Sequence, residues 1–125
     1  MKLKTLLWLQ FVYAILGAAY NVVSLSLLLM GKPPLSATNP IVGLVFMIIY
    51  ALCLIPGHMR KLLMYRILMG IAILGFGVFG IAVHIINIFT QPQLYQSILA
   101  WVLAVGINVF GLVLNIIAVS GKFKT

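Results

Sequence analysis

The chain has 125 residues, of which 65% are hydrophobic and 6% are charged; none is Asp or Glu, so its formal net charge is +8. A soluble domain carries about a quarter charged residues, and a disordered chain needs low hydrophobicity and few aromatic residues. The composition therefore excludes both classes and predicts a membrane protein. Without carboxylates, the chain also lacks an acid pair for hydrolysis, carboxylate ligands for Mg²⁺ or Ca²⁺, and an Asp/Glu proton relay.

Four apolar runs follow one another along the chain. About 20 helical residues cross a hydrocarbon core; three runs reach that length alone, and the second reaches it with its flanking residues. All five prolines lie between the runs or at their edges, where proline removes no needed hydrogen bond. We therefore predict an all-α fold with one domain, a left-handed antiparallel bundle of four transmembrane helices. The predicted helices cover residues 5–31, 40–57, 62–89 and 97–120.

Small and polar residues recur within each run at alternating spacings of four and three. We call these stripes the seams. A repeat averaging about 3.5 residues keeps one helix face on its neighbours and predicts left-handed crossings. Because lipid tails are as apolar as leucine, helices associate through close approach at Gly and Ala and through side-chain hydrogen bonds, so we expect the seams to face one another. The seams are Gln10, Ala14, Gly17, Asn21 and Ser24; Pro40, Gly43, Met47, Tyr50 and Leu54; Arg66, Gly70, Ile73, Gly77, Gly80, His84 and Asn87; and Ser97, Trp101, Ala104, Asn108, Gly111, Asn115 and Ala118.

Polar seam residues are the candidate ligand-binding residues. Counting along the helices places Tyr50 and Asn108 near the bilayer midplane, Asn21 about 5 Å outward and His84 about 13 Å outward. We expect these four side chains to form a polar layer that binds a neutral or anionic ligand; the alternative is that their hydrogen bonds only join helices. His84 can change charge near neutral pH, but no acid is available to work with it. We predict no catalytic residue, no metal site and no cofactor.

The positive charges are distributed unevenly. Six of the eight Lys and Arg residues precede the first helix, join the second and third, or follow the fourth; Arg66 lies just inside the third helix on the same side, and only Lys32 lies on the other side. This bias predicts that both termini are cytoplasmic. We expect Arg60, Lys61 and Arg66 to contact anionic lipids of the bilayer, and we expect no nucleic acid partner, because the charges do not cluster on a wettable face. Aromatic residues near the ends of the runs are expected at the membrane interfaces: Trp8, Tyr65, Tyr95 and Trp101.

Because the chain has almost no soluble part and no catalytic motif, we predict a non-enzymatic interaction or accessory-subunit role. The protein would associate through its seams as a homo-oligomer or within a larger membrane complex. Two alternatives stay open: a small oligomeric transporter or channel for a neutral or anionic solute, and a lipid- or quinone-interacting subunit of an enzyme complex. Short loops and the lack of an Asn-x-Ser/Thr acceptor favour a bacterial inner membrane.

In length and helix number the chain resembles two families, the small multidrug transporters and the fluoride channels. The transporters carry a membrane-embedded Glu in the first helix, where this chain has only Gln10 and Asn21. The Gly/Arg and Phe/Ser/Thr signatures of the fluoride channels are missing here. The resemblance implies transport by an oligomer, and it extends to no specific motif.

Overall fold

The structure, a computed structural model, describes all 125 residues and consists of helices and short connections. It confirms the predicted all-α fold and the number of helices. The ends of the helices differ from the predicted ends by two residues or fewer. Four helical segments, here called spans one to four, are long and apolar enough to cross a membrane: Leu3–Leu29, Pro40–His58, Leu62–Thr90 and Ile98–Ser120.

Consecutive spans run in opposite directions. Gln10 of span one contacts Asn115 of span four, and Tyr20, farther along span one, contacts Ala100. Span one packs on spans two and four, and span four packs on span three. The backbone N–H of Leu3 donates to the carbonyl of Lys124 at 2.8 Å, so the first and last residues lie at the same end of the bundle. We call it the basic end, because it carries Lys2, Lys4, Arg60, Lys61, Lys122 and Lys124.

Span one is a single helix, α1 (Leu3–Leu29), whereas span two is divided into α2 (Pro40–Leu52) and α3 (Ile55–His58). Asn39 caps the start of α2, because its side-chain oxygen accepts hydrogen bonds from two backbone N–H groups of the first turn at 3.0 and 3.3 Å. Pro56 explains the division, since it lacks an N–H group and its ring would clash with the carbonyl four residues earlier. The predicted continuous helix 40–57 is therefore interrupted.

Spans three and four differ in regularity. Span three consists of α4 (Leu62–Gly77), a π-helical turn (Val78–Ala82) and α5 (Val83–Thr90). After a short 3₁₀ turn (Pro92–Leu94), span four is one helix, α6 (Ile98–Ser120). The hydroxyl of Ser97 caps its start, and Gly121 ends it in the left-handed conformation, with φ of 71°.

The π turn shifts the seam of span three. A π turn holds one residue more than an α-helical turn, so the residues before it are rotated relative to a regular helix. Gly80 is buried as predicted, but Arg66 is exposed and Gly70 only half-buried. Tyr65 and Met69, one position earlier, are fully buried instead. The predicted seam is therefore wrong by one residue between the basic end and the π turn.

The other three seams face the interior of the bundle, as predicted. Residues on their outer faces, mostly Leu, Ile, Val and Phe, are exposed at the surface of the bundle. Close approach is therefore made by small and polar residues between spans of the same chain. The buried members are Gln10, Ala14, Gly17, Asn21 and Ser24 in span one; Pro40, Gly43, Met47, Tyr50 and Leu54 in span two; and Ala104, Gly111, Asn115 and Ala118 in span four.

A hydrogen-bonded group, here called the polar cluster, joins all four spans near the basic end. Gln10 donates to the side-chain oxygen of Asn115 at 3.1 Å, and Tyr50 donates to the same oxygen at 2.6 Å. The Tyr65 hydroxyl donates to the side-chain oxygen of Gln10. Gln10 also donates to the sulfur of Met69 at 3.2 Å. The polar cluster thereby joins five buried side chains, at least one from each span.

An aromatic layer covers the polar cluster on the side away from the basic end. The rings of Tyr13, Tyr50 and Phe76 meet edge to face, with centroid distances of 5.1 to 6.0 Å. Such geometry places the positive edge of one ring on the negative face of the next. Gly111 makes room for the layer, because a Cβ atom there would lie 2.5 Å from the ring of Tyr13. The layer fills the centre of the bundle.

Candidate functional site: a pocket beyond the aromatic layer

Beyond the aromatic layer the bundle opens into a pocket of about 90 Å³ that all four spans line. Phe76 of the aromatic layer forms part of its wall. The pocket holds three of the four predicted ligand-binding residues, together with three polar residues that sequence reasoning did not select. Its polar lining consists of Tyr20, Asn21, Ser36, Thr38, His84 and Asn108.

Asn21 offers the pocket a free acceptor. Its side-chain N–H donates to the carbonyl of Gly17 at 2.8 Å. Its side-chain oxygen accepts no hydrogen bond, although the residue is only 8% exposed. Every fully buried side-chain oxygen in the chain has a hydrogen-bond partner. The Asn21 oxygen has none, so it is not fully buried and is accessible from the pocket that Asn21 lines. Gly43 makes room for it, because any Cβ atom there would collide with the Asn21 amide.

Asn108 faces the pocket from span four. Its side-chain oxygen accepts from the Tyr13 hydroxyl at 3.0 Å, and its side-chain N–H donates to the carbonyl of Ala104 at 2.8 Å. A primary amide has two N–H donors, so a second donor remains. Gly80 makes the space for this amide, because a Cβ atom there would lie 2.6 Å from its carbon. Asn108 therefore supports the pocket wall and keeps one free donor.

His84 lies at the end of the pocket that is farthest from the aromatic layer. Its Nδ1 atom is 2.6 Å from the Tyr95 hydroxyl, and its Nε2 atom is 3.4 Å from the Thr38 hydroxyl. The indole N–H of Trp101 donates to its backbone carbonyl at 2.8 Å. Burial raises the pKa of Tyr95, so the phenol stays protonated around neutral pH. These contacts join the two connections at this end of the bundle to spans three and four.

Tyr50 is not part of this pocket. Its hydroxyl belongs to the polar cluster, where it donates to Asn115. The predicted polar layer of four residues is therefore divided: the pocket brings Asn21, His84 and Asn108 together, whereas the hydroxyl of Tyr50 bonds to the polar cluster on the other side of the aromatic layer. The position of Tyr50 along its helix predicted its depth in the bundle. It could not predict on which side of the aromatic layer the hydroxyl would find a hydrogen-bond partner.

The pocket opens sideways between spans two and three. Although α3 contacts α4, α2 lacks the close backbone packing on span three that joins the other neighbouring spans, and Phe46 and Phe76 lie between α2 and α4 with ring centroids 6.5 Å apart. Two lining residues mark the mouth, because large parts of their side chains are exposed: Phe46 at 53% and Phe79 at 72%. An apolar mouth thus leads to a polar interior.

The predicted lipid-contacting residues lie outside the pocket. Arg60 and Lys61 are exposed and make no side-chain hydrogen bond within the chain. Arg66 donates through Nε and Nη2 to the carbonyl of Val119, at 3.0 and 2.7 Å. A cation at the C-terminal end of a helix is favoured by the helix dipole, so Arg66 stabilises the last turn of α6.

The aromatic residues expected at the interfaces are divided as well. Trp8 is 62% exposed, but Tyr65 and Tyr95 are buried and hydrogen-bonded. These two tyrosines are therefore held inside the bundle by hydrogen bonds, and the interfacial position stays a prediction. Ser36 and Thr38 were missed because they lie in the connection between spans one and two, for which helical spacing gives no signal. Tyr20 was missed because it lies one position from the seam; its hydroxyl donates to the carbonyl of Ala100 at 2.8 Å.

No family model matches the chain, and no curated protein or solved structure is similar to it. The function is therefore argued from geometry. The pocket presents a free amide oxygen, a spare amide N–H and a hydroxyl-bearing rim, and no charged side chain lines it. Such a lining can bind a neutral polar group by hydrogen bonds.

Proposed function

We propose that this chain is a multi-pass membrane protein that binds, inside the bilayer, the neutral polar head of an apolar molecule. One observation carries the proposal. The amide oxygen of Asn21 accepts no hydrogen bond within the chain and is accessible from a pocket whose mouth, between Phe46 and Phe79, opens at the apolar outer surface of the bundle. A polar group left without a partner in an apolar medium costs about 2–7 kcal/mol, so a ligand that supplies a donor gains by entering.

The ligand is neutral because the pocket offers no compensation for charge. No Lys or Arg lines it, and the chain has no Asp or Glu at all. An unpaired ion inside a membrane protein is far more expensive than a hydrogen-bonded neutral group. Of the two ligand classes expected from the sequence, the geometry supports the neutral one.

The size and shape of the pocket favour an amphiphile over a free solute. Pockets for drug-sized molecules measure about 300–1,000 Å³, whereas this one has about 90 Å³. It accommodates a hydroxyl, carbonyl or amide head group. The rest of the molecule leaves through the mouth, where Phe46 and Phe79 contact its apolar chain. A fatty alcohol or a diacylglycerol has this form, and so does the reduced (quinol) form of a quinone, because each has a hydroxyl that can donate to Asn21.

The role we propose is non-enzymatic. The chain supplies hydrogen bonds but no carboxylate, and His84 is committed to Tyr95 and Thr38. Binding of a lipid or quinol head fits an accessory subunit that holds such a molecule for a larger membrane complex. Association through the seams has less support, because the buried seam residues contact other spans of the same chain.

The proposed placement follows from bilayer physics. Apolar outer faces match acyl chains, and the excess of positive charge at the basic end puts both termini in the cytoplasm. The alternating seam spacing of spans one, two and four supports left-handed crossings. We propose the inner membrane of a bacterium as the location. The alternative of a transporter has less support, because the aromatic layer separates the pocket from the basic end.

The test uses two photoreactive ligands with the same chain, hexadecanol and hexadecanoate, and the protein in phosphatidylcholine nanodiscs. We expect the alcohol to label residues around the mouth and the carboxylate to label them weakly. Asn21→Leu removes the free oxygen. Since one intramembrane hydrogen bond contributes about 1 kcal/mol, we expect about fivefold less labelling. Ser26→Leu, which also removes a side-chain bond to the backbone of span one but lies outside the pocket, leaves labelling unchanged. Equal labelling by the two ligands, or equal loss in the two variants, contradicts the proposal.

A further inference from the structure

The basic end contains a second pocket, which is separate from the one beyond the aromatic layer. It measures about 430 Å³, and five of its nine lining residues are basic. We call it the basic basin. Its basic residues come from three segments that are distant in sequence: Lys2, Lys4, His58, Arg60 and Lys124.

We propose that the basic basin is a binding site for a phosphate-bearing ligand with at least two negative charges. Lys2, Lys4, Arg60 and Lys124 carry four positive charges around one concavity. The chain contains no Asp or Glu that could pair with them. No carboxylate side chain of these 125 residues can therefore neutralise them. An Arg fork combined with Lys point charges is the arrangement that proteins use for phosphate.

The basin is held in place by the fold. The backbones of Lys2 and Lys124 lie side by side: the N–H of Leu3 donates to the carbonyl of Lys124, and the N–H of Lys124 donates to the carbonyl of Met1, both at 2.8 Å. The third segment is fixed by Gly57, where a Cβ atom would lie 2.7 Å from a methyl group of Leu7. This close approach holds α3, and Arg60 after it, against α1.

The basin differs from a diffuse positive surface, because only some of the charges at the basic end belong to it. Lys61 and Lys122 are exposed at the same end but do not line it, and Arg66 is bound to the carbonyl of Val119. Its volume lies in the range of small-molecule sites, about 300–1,000 Å³. A single phosphate ion would leave most of that space empty. A diphosphate or a phosphate with an attached glycerol matches it better.

The experiment compares two variants that have the same net charge. Lys4→Gln combined with Lys124→Gln removes two charges from the basin, and Lys61→Gln combined with Lys122→Gln removes two charges beside it. Each purified protein, in an uncharged detergent, is titrated with inorganic pyrophosphate and with dioctanoyl phosphatidic acid. Since a basic residue near a membrane surface contributes about 1 kcal/mol, we expect about a thirtyfold affinity loss when the basin variant loses two of them. The outer variant should lose about threefold at most, because charges outside the contact are screened.

The outcomes separate the two sources of phosphate. Binding of phosphatidic acid alone assigns the basin to a lipid headgroup, and binding of pyrophosphate alone assigns it to a soluble ligand. Lys4→Arg combined with Lys124→Arg should restore binding, and the melting temperature shows that each variant is folded. Equal losses in the basin and outer variants overturn the proposal, as does the absence of binding to both probes at low salt.

Discussion

Asn115 and Asn21 both lie on the inner face of the bundle, but in halves that are built differently. The side-chain oxygen of Asn115 accepts two hydrogen bonds, from Gln10 and Tyr50, and the residue is 1% exposed. The oxygen of Asn21 accepts none. The same residue type therefore holds helices together in the half near the basic end and lines a pocket in the other half.

The difference shows how a short membrane chain combines stability with a binding site. Around the polar cluster, hydrogen bonds and edge-to-face rings fill the space between the spans. Beyond the aromatic layer, spans two and three separate and leave polar groups open. The π turn of span three lies at this transition, since it contains Gly80 of the pocket wall. Three predictions test whether the halves differ in the proposed way.

The largest effect on stability is expected from single-residue deletions in span three. They test whether the π turn sets which face of the helix is buried in each half of the bundle. Deleting exposed Val78 removes its extra residue and leaves a regular α-helix in which Tyr65, Met69, Phe76 and Gly80 still face the bundle. We expect this variant to fold with little change in stability, since the lost contacts of Val78 are offset by removal of an unfavourable π turn. Deleting Ile71, which is also exposed, rotates parts of the seam by about 100°. Several buried side chains would then face lipid, and we expect no folded protein.

The measurement is thermal unfolding in detergent, followed by circular dichroism. If both deletion variants fold equally well, the seam of span three does not depend on its register. If the deletion of Val78 alone abolishes folding, the π turn is required for stability, and the account of a shifted but otherwise regular seam is wrong.

The next largest effect is expected from Asn115→Leu. It leaves the hydroxyl of Tyr50 and one N–H of Gln10 without an acceptor, and each buried unsatisfied group costs about 1–3 kcal/mol. We expect the free energy of unfolding to fall by about 3 kcal/mol. Asn21→Leu removes only a bond to the backbone of its own helix, so we expect a loss below about 1 kcal/mol. Unfolding in mixed micelles with increasing dodecyl sulfate measures both. Losses of equal size would mean that the two halves do not differ.

Sequence reasoning succeeded where the bilayer acts on each helix separately. Lipid excludes unpaired amides, so the position of Gln10, Asn21 or Asn115 along a helix already indicates which face is buried. The seams of spans one, two and four follow from that rule. The rule needs only the α-helical period, and these helices keep this period over the predicted residues.

Sequence reasoning failed where the result depends on how separate elements meet. The π turn is a local change of period that the spacing of Arg66 and Gly70 does not reveal. Tyr65 and Tyr95 lie near the ends of apolar runs, as interfacial aromatic residues do, but partners from distant segments bury them. Thr38 enters the pocket only because its connection folds against His84. The pocket could therefore be predicted in part, through its two asparagines and its histidine, but its mouth could not.

The smallest effect is expected from a matched pair of Gly→Ala variants. The change in stability should be negative where the glycine is packed against a ring and positive where it has no neighbour. At Gly111 a new methyl group would lie 2.5 Å from the ring of Tyr13, which is fully buried, so the aromatic layer must move. Overpacking of this kind costs about 1–3 kcal/mol, and Gly111→Ala should lower the melting temperature. At Gly75 no atom lies within 4 Å of the new Cβ. Gly75→Ala should therefore stabilise the helix by up to about 1 kcal/mol, because alanine is the better helix former. If both variants are stabilised, the aromatic layer yields easily and does not separate the pocket from the polar cluster.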